Sequence, residues 1–173
     1  MKQPLQRAWL GLGGNIGDPV AAMAQALRAL DGRKDTDVVA VSPVYKTPPW
    51  GKTDQASFHN ACAEVLTALE PEALLATCLD IEKEMKRERI ERWGPRIIDI
   101  DVLAYAGFET FASPTLVLPH PRMTERAFVL VPLADIAPDL VVDGKPVSHW
   151  LARCDKAGVE KALGDSGWWR EGA

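Results

Sequence analysis

The sequence predicts one α+β domain in which helices cover a mixed or mainly antiparallel sheet. Apolar, β-branched runs such as "DVVAVSPVYKT" and "IIDIDVLAY" alternate with stretches whose apolar residues fall at helical spacing. The alternation lacks the strict strand–helix rhythm of a doubly wound parallel sheet. The 173 residues amount to about one domain, long enough to bury a substantial core.

The elements follow in order. "AWLGLGG" reads as a short buried strand from Ala8 that ends in glycines. "GGNIGDP" is turn chemistry, and Asp18-Pro19 starts a helix as an N-cap followed by proline in the first turn; "VAAMAQALRAL" continues it. "DTDVVAVSPVYKT" reads as one strand, followed by a Pro-Pro-Trp-Gly loop at 48–51. "FHNACAEVLTAL" reads as a second strand, hairpin-paired with the preceding one across that loop. "EPEALLATCLDIEKEMKRER" is a helix with Pro71 at its start and Leu74, Leu75, Cys78, Leu79 and Glu82 spaced by threes and fours. "IIDIDVLAY" is a strand after Gly94-Pro95, "TLVLPHPRM" is extended, "TERAFVLVPLADI" is a helix and "VSHWLARC" a short last one. One domain spans 1–173. Residues from about 157 on form a Gly-rich, flexible tail whose two tryptophans can fold back on the surface.

Composition narrows the function. A net charge of -4 argues against a general nucleic-acid binder, which needs a basic field. Three widely spaced cysteines, Cys62, Cys78 and Cys154, suit buried thiols in a reducing compartment rather than a disulfide frame or a zinc site. The N-terminus lacks a signal-peptide pattern, and "AFVLVPLADIAPDLVV" is broken by proline and aspartate. The expectation is a soluble cytoplasmic protein without membrane or nucleic-acid partners.

The chemistry concentrates in "RWGPRIIDIDVLAY", residues 92–105. Asp99 and Asp101, at i and i+2, share one face of a strand roughly 6–7 Å apart. Two carboxylates that close suit hard divalent cations, which fill their remaining positions with water and phosphate. Taken alone, such a pair is as well explained by a solvated strand face. The neighbourhood favours a ligand: Lys83, Lys86, Arg87, Arg89, Arg92 and Arg96 precede the strand. Glu82–Lys86 and Glu88–Arg92 have salt-bridge spacing on a helix face, which accounts for the lysines. The arginines near Gly94-Pro95 instead suit a polyphosphate, whose oxygens guanidinium forks grip. Taken singly, Trp50, Phe58, Trp93 and Phe128 are better explained as core; together with the amide of Asn60 they would make a slot for a flat polar ring. His120, held between Pro119 and Pro121 with Arg122 and Arg126 nearby, is a phosphate-contact candidate. "GLGGNIG" matches neither a P-loop nor a dinucleotide fingerprint; it is a tight turn bordering the ligand site.

Taken together, "LGLGGNIGD", "SPVYKTPPWG", "FHNACAEV", "IEKEMKRERIERWGPRIIDIDVL" and "LPHPRMTERAFVLVPLADIAPDL" resemble the hydroxymethyldihydropterin pyrophosphokinases of folate biosynthesis, from about Ala8 to Val142. The resemblance implies a ferredoxin-like three-layer α/β/α sandwich with a mainly antiparallel sheet, acting as a monomer. It implies an ATP-dependent diphosphotransferase that moves pyrophosphate from ATP to 6-hydroxymethyl-7,8-dihydropterin and leaves AMP. The alternative is a non-catalytic nucleotide- or pterin-binding module. By the same resemblance Asp99 and Asp101 bind two Mg2+ ions, and Arg87, Arg96 and Asp101 are catalytic. Arg89, Arg92, His120 and Arg126 contact ATP. The pterin lies between Phe58 and Phe128, edged by Thr47, Pro49, Trp50 and Asn60 and covered by Trp93. Phe58 stands where a tyrosine is frequent, keeping a stacking ring without its hydroxyl, and the chain beyond about Lys156 has no counterpart.

Overall fold

The structure is a computed structural model that describes residues 4–48, 56–87 and 97–170. Strand β1 (Gln6–Gly14) runs into a turn whose end is the predicted cap: the Asp18 carboxylate accepts from the Ala21 N–H at 3.0 Å, and Pro19 opens helix α1 (Pro19–Asp31). The run expected as one strand is two, β2 (Thr36–Val41) and β3 (Val44–Thr47). Ser42-Pro43 divides them, because proline cannot donate to a ladder. Strand β4 (Phe58–Thr67), helix α2 (Pro71–Arg87) and strand β5 (Asp99–Tyr105) follow.

Two small hairpins, β6 (Phe111–Ala112) with β7 (Val117–Leu118) and β8 (Val141–Val142) with β9 (Lys145–Pro146), lie outside the main sheet. Between them a 3-10 turn (Met123–Glu125) leads into helix α3 (Ala127–Ile136), so the predicted helix begins three residues late. Helix α4 (Val147–Ala152) and strand β10 (Glu160–Leu163) complete the chain.

The main sheet has the order β10-β3-β4-β1-β5, with β2 also paired to β4, and every pairing is antiparallel. Strand alternation gives it two faces. On one, Leu10, Leu12, Ala61, Ala63, Val65, Ile100 and Val102 pack with Met23, Leu27 and Leu30 of α1 and Leu74, Cys78 and Met85 of α2. On the other, Trp9, Cys62 and Leu103 pack with Val129, Leu130 and Leu133 of α3 and with Val142 and Val147. Each fully buried Leu, Ile or Val contributes about 1.5–3 kcal/mol over its exposed state, so the two layers hold the sheet between them. These layers form the predicted α/β/α sandwich.

Two expectations change. The tail is not left loose: β10 pairs with β3, Trp168 and Trp169 are buried, and the Trp168 indole N–H donates to the Ser42 carbonyl at 2.8 Å. Two large aromatic surfaces gain too much by burial to remain on a frayed end. Leu79, expected on the inward stripe of α2, is exposed, whereas Glu82, placed both in that series and at salt-bridge spacing to Lys86, is 9% exposed.

Candidate functional site

The cavity sits on the α3 face, where β1 ends and β4 and β5 begin; its volume is about 500 Å3. Its floor follows from register. Gly11 lies opposite Cys62 on one side and Asp101 on the other, and Gly13 lies opposite Asn60 and Asp99. The central strand therefore presents bare backbone between β4 and β5, and the absence of two side chains opens the trench. Gly13 is closely fitted: a Cβ there would lie 2.4 Å from Asn60 Oδ1, so the amide would have to move.

Along β4, Phe58, Asn60 and Cys62 alternate onto the cavity face, and Thr47 enters from β3 as the partner of Phe58. Asn60 is 8% exposed, and its Nδ2 donates to Thr47 Oγ1 at 3.1 Å. That bond orients the amide. A helical wall of Phe128 and Val129, with Arg122, Glu125 and Arg126 from the preceding turn, faces the sheet. The Arg126 guanidinium lies 5.4 Å from the centre of the Phe128 ring, within cation–π range.

On β5 the two aspartates emerge on the cavity side while Ile98, Ile100 and Val102 are buried beneath them, as the period of two requires. Asp101 is exposed and Asp99 half-buried. Acids thus come from β5 and from Glu125, guanidiniums from the same turn as Glu125, and aromatic rings from β4 and α3, with Arg126 against Phe128.

His120 stands beside this set without lining the cavity. Its Nδ1 accepts from the Arg122 backbone N–H at 3.3 Å. Burial pushes the imidazole below its usual range; the Asp101 carboxylate works against that, and the Arg126 and Arg122 cations reinforce it. The Cys62 thiol is driven well above its ordinary range, chiefly by burial and then by Asp135 and Asp101, so it offers no thiolate nucleophile. On the other side of β4, the His59 imidazole is lowered by burial and by Lys46, with Asp18 opposing, and its buried Nδ1 has no hydrogen-bond partner among the described residues.

Of the residues singled out by sequence, Thr47, Phe58, Asn60, Asp99, Asp101, Arg126 and Phe128 line one cavity, and His120 adjoins it. Arg87 closes α2. Its side chain, together with Pro49, Trp50, Arg89, Arg92, Trp93 and Arg96, lies outside the described residues. Gly11 and Gly13 of "GLGGNIG" border the cavity as expected, whereas Glu125 and Cys62 line it without having been singled out. The last was discoverable, because Cys62 continues the i, i+2 series of Phe58 and Asn60.

Fold and cavity together define a small α+β protein whose cavity brings carboxylates, guanidiniums and aromatic rings together. The chain belongs to the 7,8-dihydro-6-hydroxymethylpterin-pyrophosphokinase family, whose sequence model matches residues 9–138. It is 53% identical over 157 residues to the 2-amino-4-hydroxy-6-hydroxymethyldihydropteridine pyrophosphokinase of Methylorubrum extorquens, covering 91% of this chain and 99% of the relative. The enzyme of the same name from Pseudomonas aeruginosa is 42% identical over 161 residues, covering 92% of this chain and 99% of that one. Among solved structures, wild-type Plasmodium falciparum HPPK-DHPS with pteroate superposes with a TM-score of 0.71 at 17% identity. The match covers 88% of this chain and 45% of the Plasmodium chain, so this chain spans less than half of it and shares its fold over that part.

Proposed function

We infer that this chain is an ATP-dependent pyrophosphokinase that transfers pyrophosphate to the hydroxymethyl group of 6-hydroxymethyl-7,8-dihydropterin, the step its family performs in folate biosynthesis. The observation that carries the residue-level reading is the shared cavity. Asp99 and Asp101 from β5, Arg122 and Arg126 from the turn before α3, and Phe58, Asn60, Thr47 and Phe128 all line it.

The donor set fits divalent cations that arrive with the nucleotide. Among the described residues no group of three or more His, Cys, Asp or Glu forms a protein-only cage. Mg2+ ordinarily takes one or two carboxylates and completes its octahedron with water and phosphate oxygens. Asp99 and Asp101 would hold it, with two ions expected. When bound, the metal supplies charge neutralisation on the phosphates and a lower pKa for a coordinated hydroxyl.

The remaining work belongs to side chains. The pterin hydroxymethyl oxygen attacks the β-phosphorus of ATP, the bond to the bridging oxygen of the α-phosphate breaks, and AMP leaves. Phosphoryl-type transfer depends mostly on positioning and charge stabilisation, so guanidiniums suffice in place of a strong base. Arg126 grips phosphate oxygens with His120 beside it. Arg87 acts from the end of α2, and Arg89, Arg92 and Arg96 from the residues that follow it, Arg96 on the transferring group. Asp101 accepts the hydroxyl proton. The Asn60 amide, oriented by Thr47, reads the edge of the heterocycle, while Phe58 and Phe128 take its faces. Pro49 and Trp50 border the ring, and Trp93 closes over it. Excluding water from this slot protects ATP from hydrolysis.

No helix among the described residues is long and apolar enough to cross a membrane. A monomeric, cytoplasmic enzyme acting on small molecules completes the proposal, supported by the three free cysteines. Incubation with ATP, Mg2+ and the reduced pterin should yield AMP and pterin diphosphate in equal amounts. Ligand binding without AMP would establish a non-catalytic module instead.

A further inference from the structure

The aspartate strand has an anchor outside the cavity. Glu82 projects from α2 into the core side of the sheet, and its Oε1 accepts the backbone N–H of Ile100 at 2.7 Å. Ile100 is the residue between Asp99 and Asp101. Strand β5 is the last in the sheet order, with β1 on its inner side. An outward-facing N–H on such a strand lacks a ladder partner, and Glu82 supplies a charge-assisted one. The Ile100 side chain, 3% exposed, is fixed in the α1/α2 core at the same point. One residue is thus held by both backbone and side chain, and the two carboxylates that flank it leave the sheet on the opposite face. Glu82 lies five positions before α2 ends at Arg87, so the same contact ties the C-terminal part of that helix to β5.

We infer that Glu82 is a positioning residue for divalent cations. It pins the backbone between Asp99 and Asp101, so that both carboxylates keep one geometry toward a metal–nucleotide complex. This rests on the cation reading of the two aspartates given above. A supporting group that locks its neighbours in this way is what a precise metal site requires.

The test separates the hydrogen bond from the charge. Glu82→Asp keeps the charge but draws the acceptor back by one methylene, whereas Glu82→Gln keeps the reach and loses the charge. Each full-length variant is titrated with Mn2+ in the presence of a nonhydrolysable ATP analogue. Free ion is read by electron paramagnetic resonance, and the fold is checked by circular dichroism. The Asp variant is expected to raise the Mn2+ Kd roughly tenfold, and the Gln variant to stay within about threefold of the parent. Exchange of the Ile100 amide hydrogen should accelerate in the Asp variant and stay slow in the Gln variant. An Asp variant that binds Mn2+ as tightly as the parent overturns the inference. So does a Gln variant weaker than the Asp variant, because charge alone would then account for the effect. If the parent chain itself takes up no Mn2+ with the analogue, the cation reading fails as well; uptake by the parent with unchanged variants sinks the Glu82 role alone.

Discussion

Replacing Gly13 by alanine tests the floor of the cavity and the amide beside it in one step. The added Cβ would lie 2.4 Å from Asn60 Oδ1 and 3.4 Å from both Asn60 Cγ and the His59 carbonyl oxygen. Non-bonded heavy atoms settle at about 3.5 Å, so the amide must withdraw by about 1 Å. Asn60 has little freedom to do so, since it is 8% exposed and donates to Thr47 Oγ1 at 3.1 Å. Rotation relieves the clash by breaking that bond, and a buried polar group left without its partner costs about 1–3 kcal/mol. For a domain of this size that loss corresponds to roughly 2–12 °C in Tm. The displaced amide no longer meets the heterocycle, and the pterin Kd should rise about tenfold, the equivalent of about 1.4 kcal/mol. Calorimetric titration of the variant with the pterin and, separately, with a nonhydrolysable ATP analogue distinguishes the effects on the two ligands. The nucleotide Kd should stay within about twofold. A variant with unchanged Tm and unchanged pterin affinity would show that Asn60 neither rests on Gly13 nor reads the ring.

Further outcomes are expected. Asp101→Ala should lower kcat by several orders of magnitude, on the order of a lost electrostatic transition-state contact or more, as measured by AMP release. Its Tm should stay close to that of the parent, because Asp101 is an exposed residue. Near-normal turnover would remove its role. Arg96→Ala should slow the chemical step far more than it weakens pterin binding in single-turnover measurements; a pure binding defect would argue against a transition-state contact. Stability should fall on acidification below about pH 6.5, because the His59 pKa is lowered in the fold by burial and Lys46. The unfolded chain then binds a proton more readily than the folded one, so the stability present above the unfolded pKa is lost as pH drops through the folded one. Across that range the Tm of the parent should fall relative to that of His59→Gln as pH drops, and parallel curves would refute the assignment.

Much of this arrangement was legible in the linear chain because its determinants are local. The Asp18-Pro19 cap, the apolar alternation of Ile98, Ile100 and Val102 beneath Asp99 and Asp101, and the i, i+2 pairing of Phe58 with Asn60 each follow from spacing along one element. Glu82 shows where such reading falls short. Its helical position already matched the buried stripe of Leu74 and Cys78, yet the abundance of nearby lysines and arginines made a solvated salt-bridge face the more natural expectation. Only the approach of β5 reveals a backbone N–H that needs its carboxylate. The tail was misjudged for the same reason. Nothing in "GDSGWWREGA" encodes the Ser42 carbonyl that receives the Trp168 indole, nor the open edge of β3 that receives β10.

Local sequence specified α1, α2, β1, β4 and β5 and the alternation that buries one side of each strand, since propensity, capping and periodicity act over a few residues. The tertiary structure alone decided that β4 stands between β1 and the β2–β3 pair, and that Gly11 and Gly13 become the floor between Asn60 and the aspartates. Strand order and register are settled by which apolar faces fit together across the whole sheet, and that competition has no local signature.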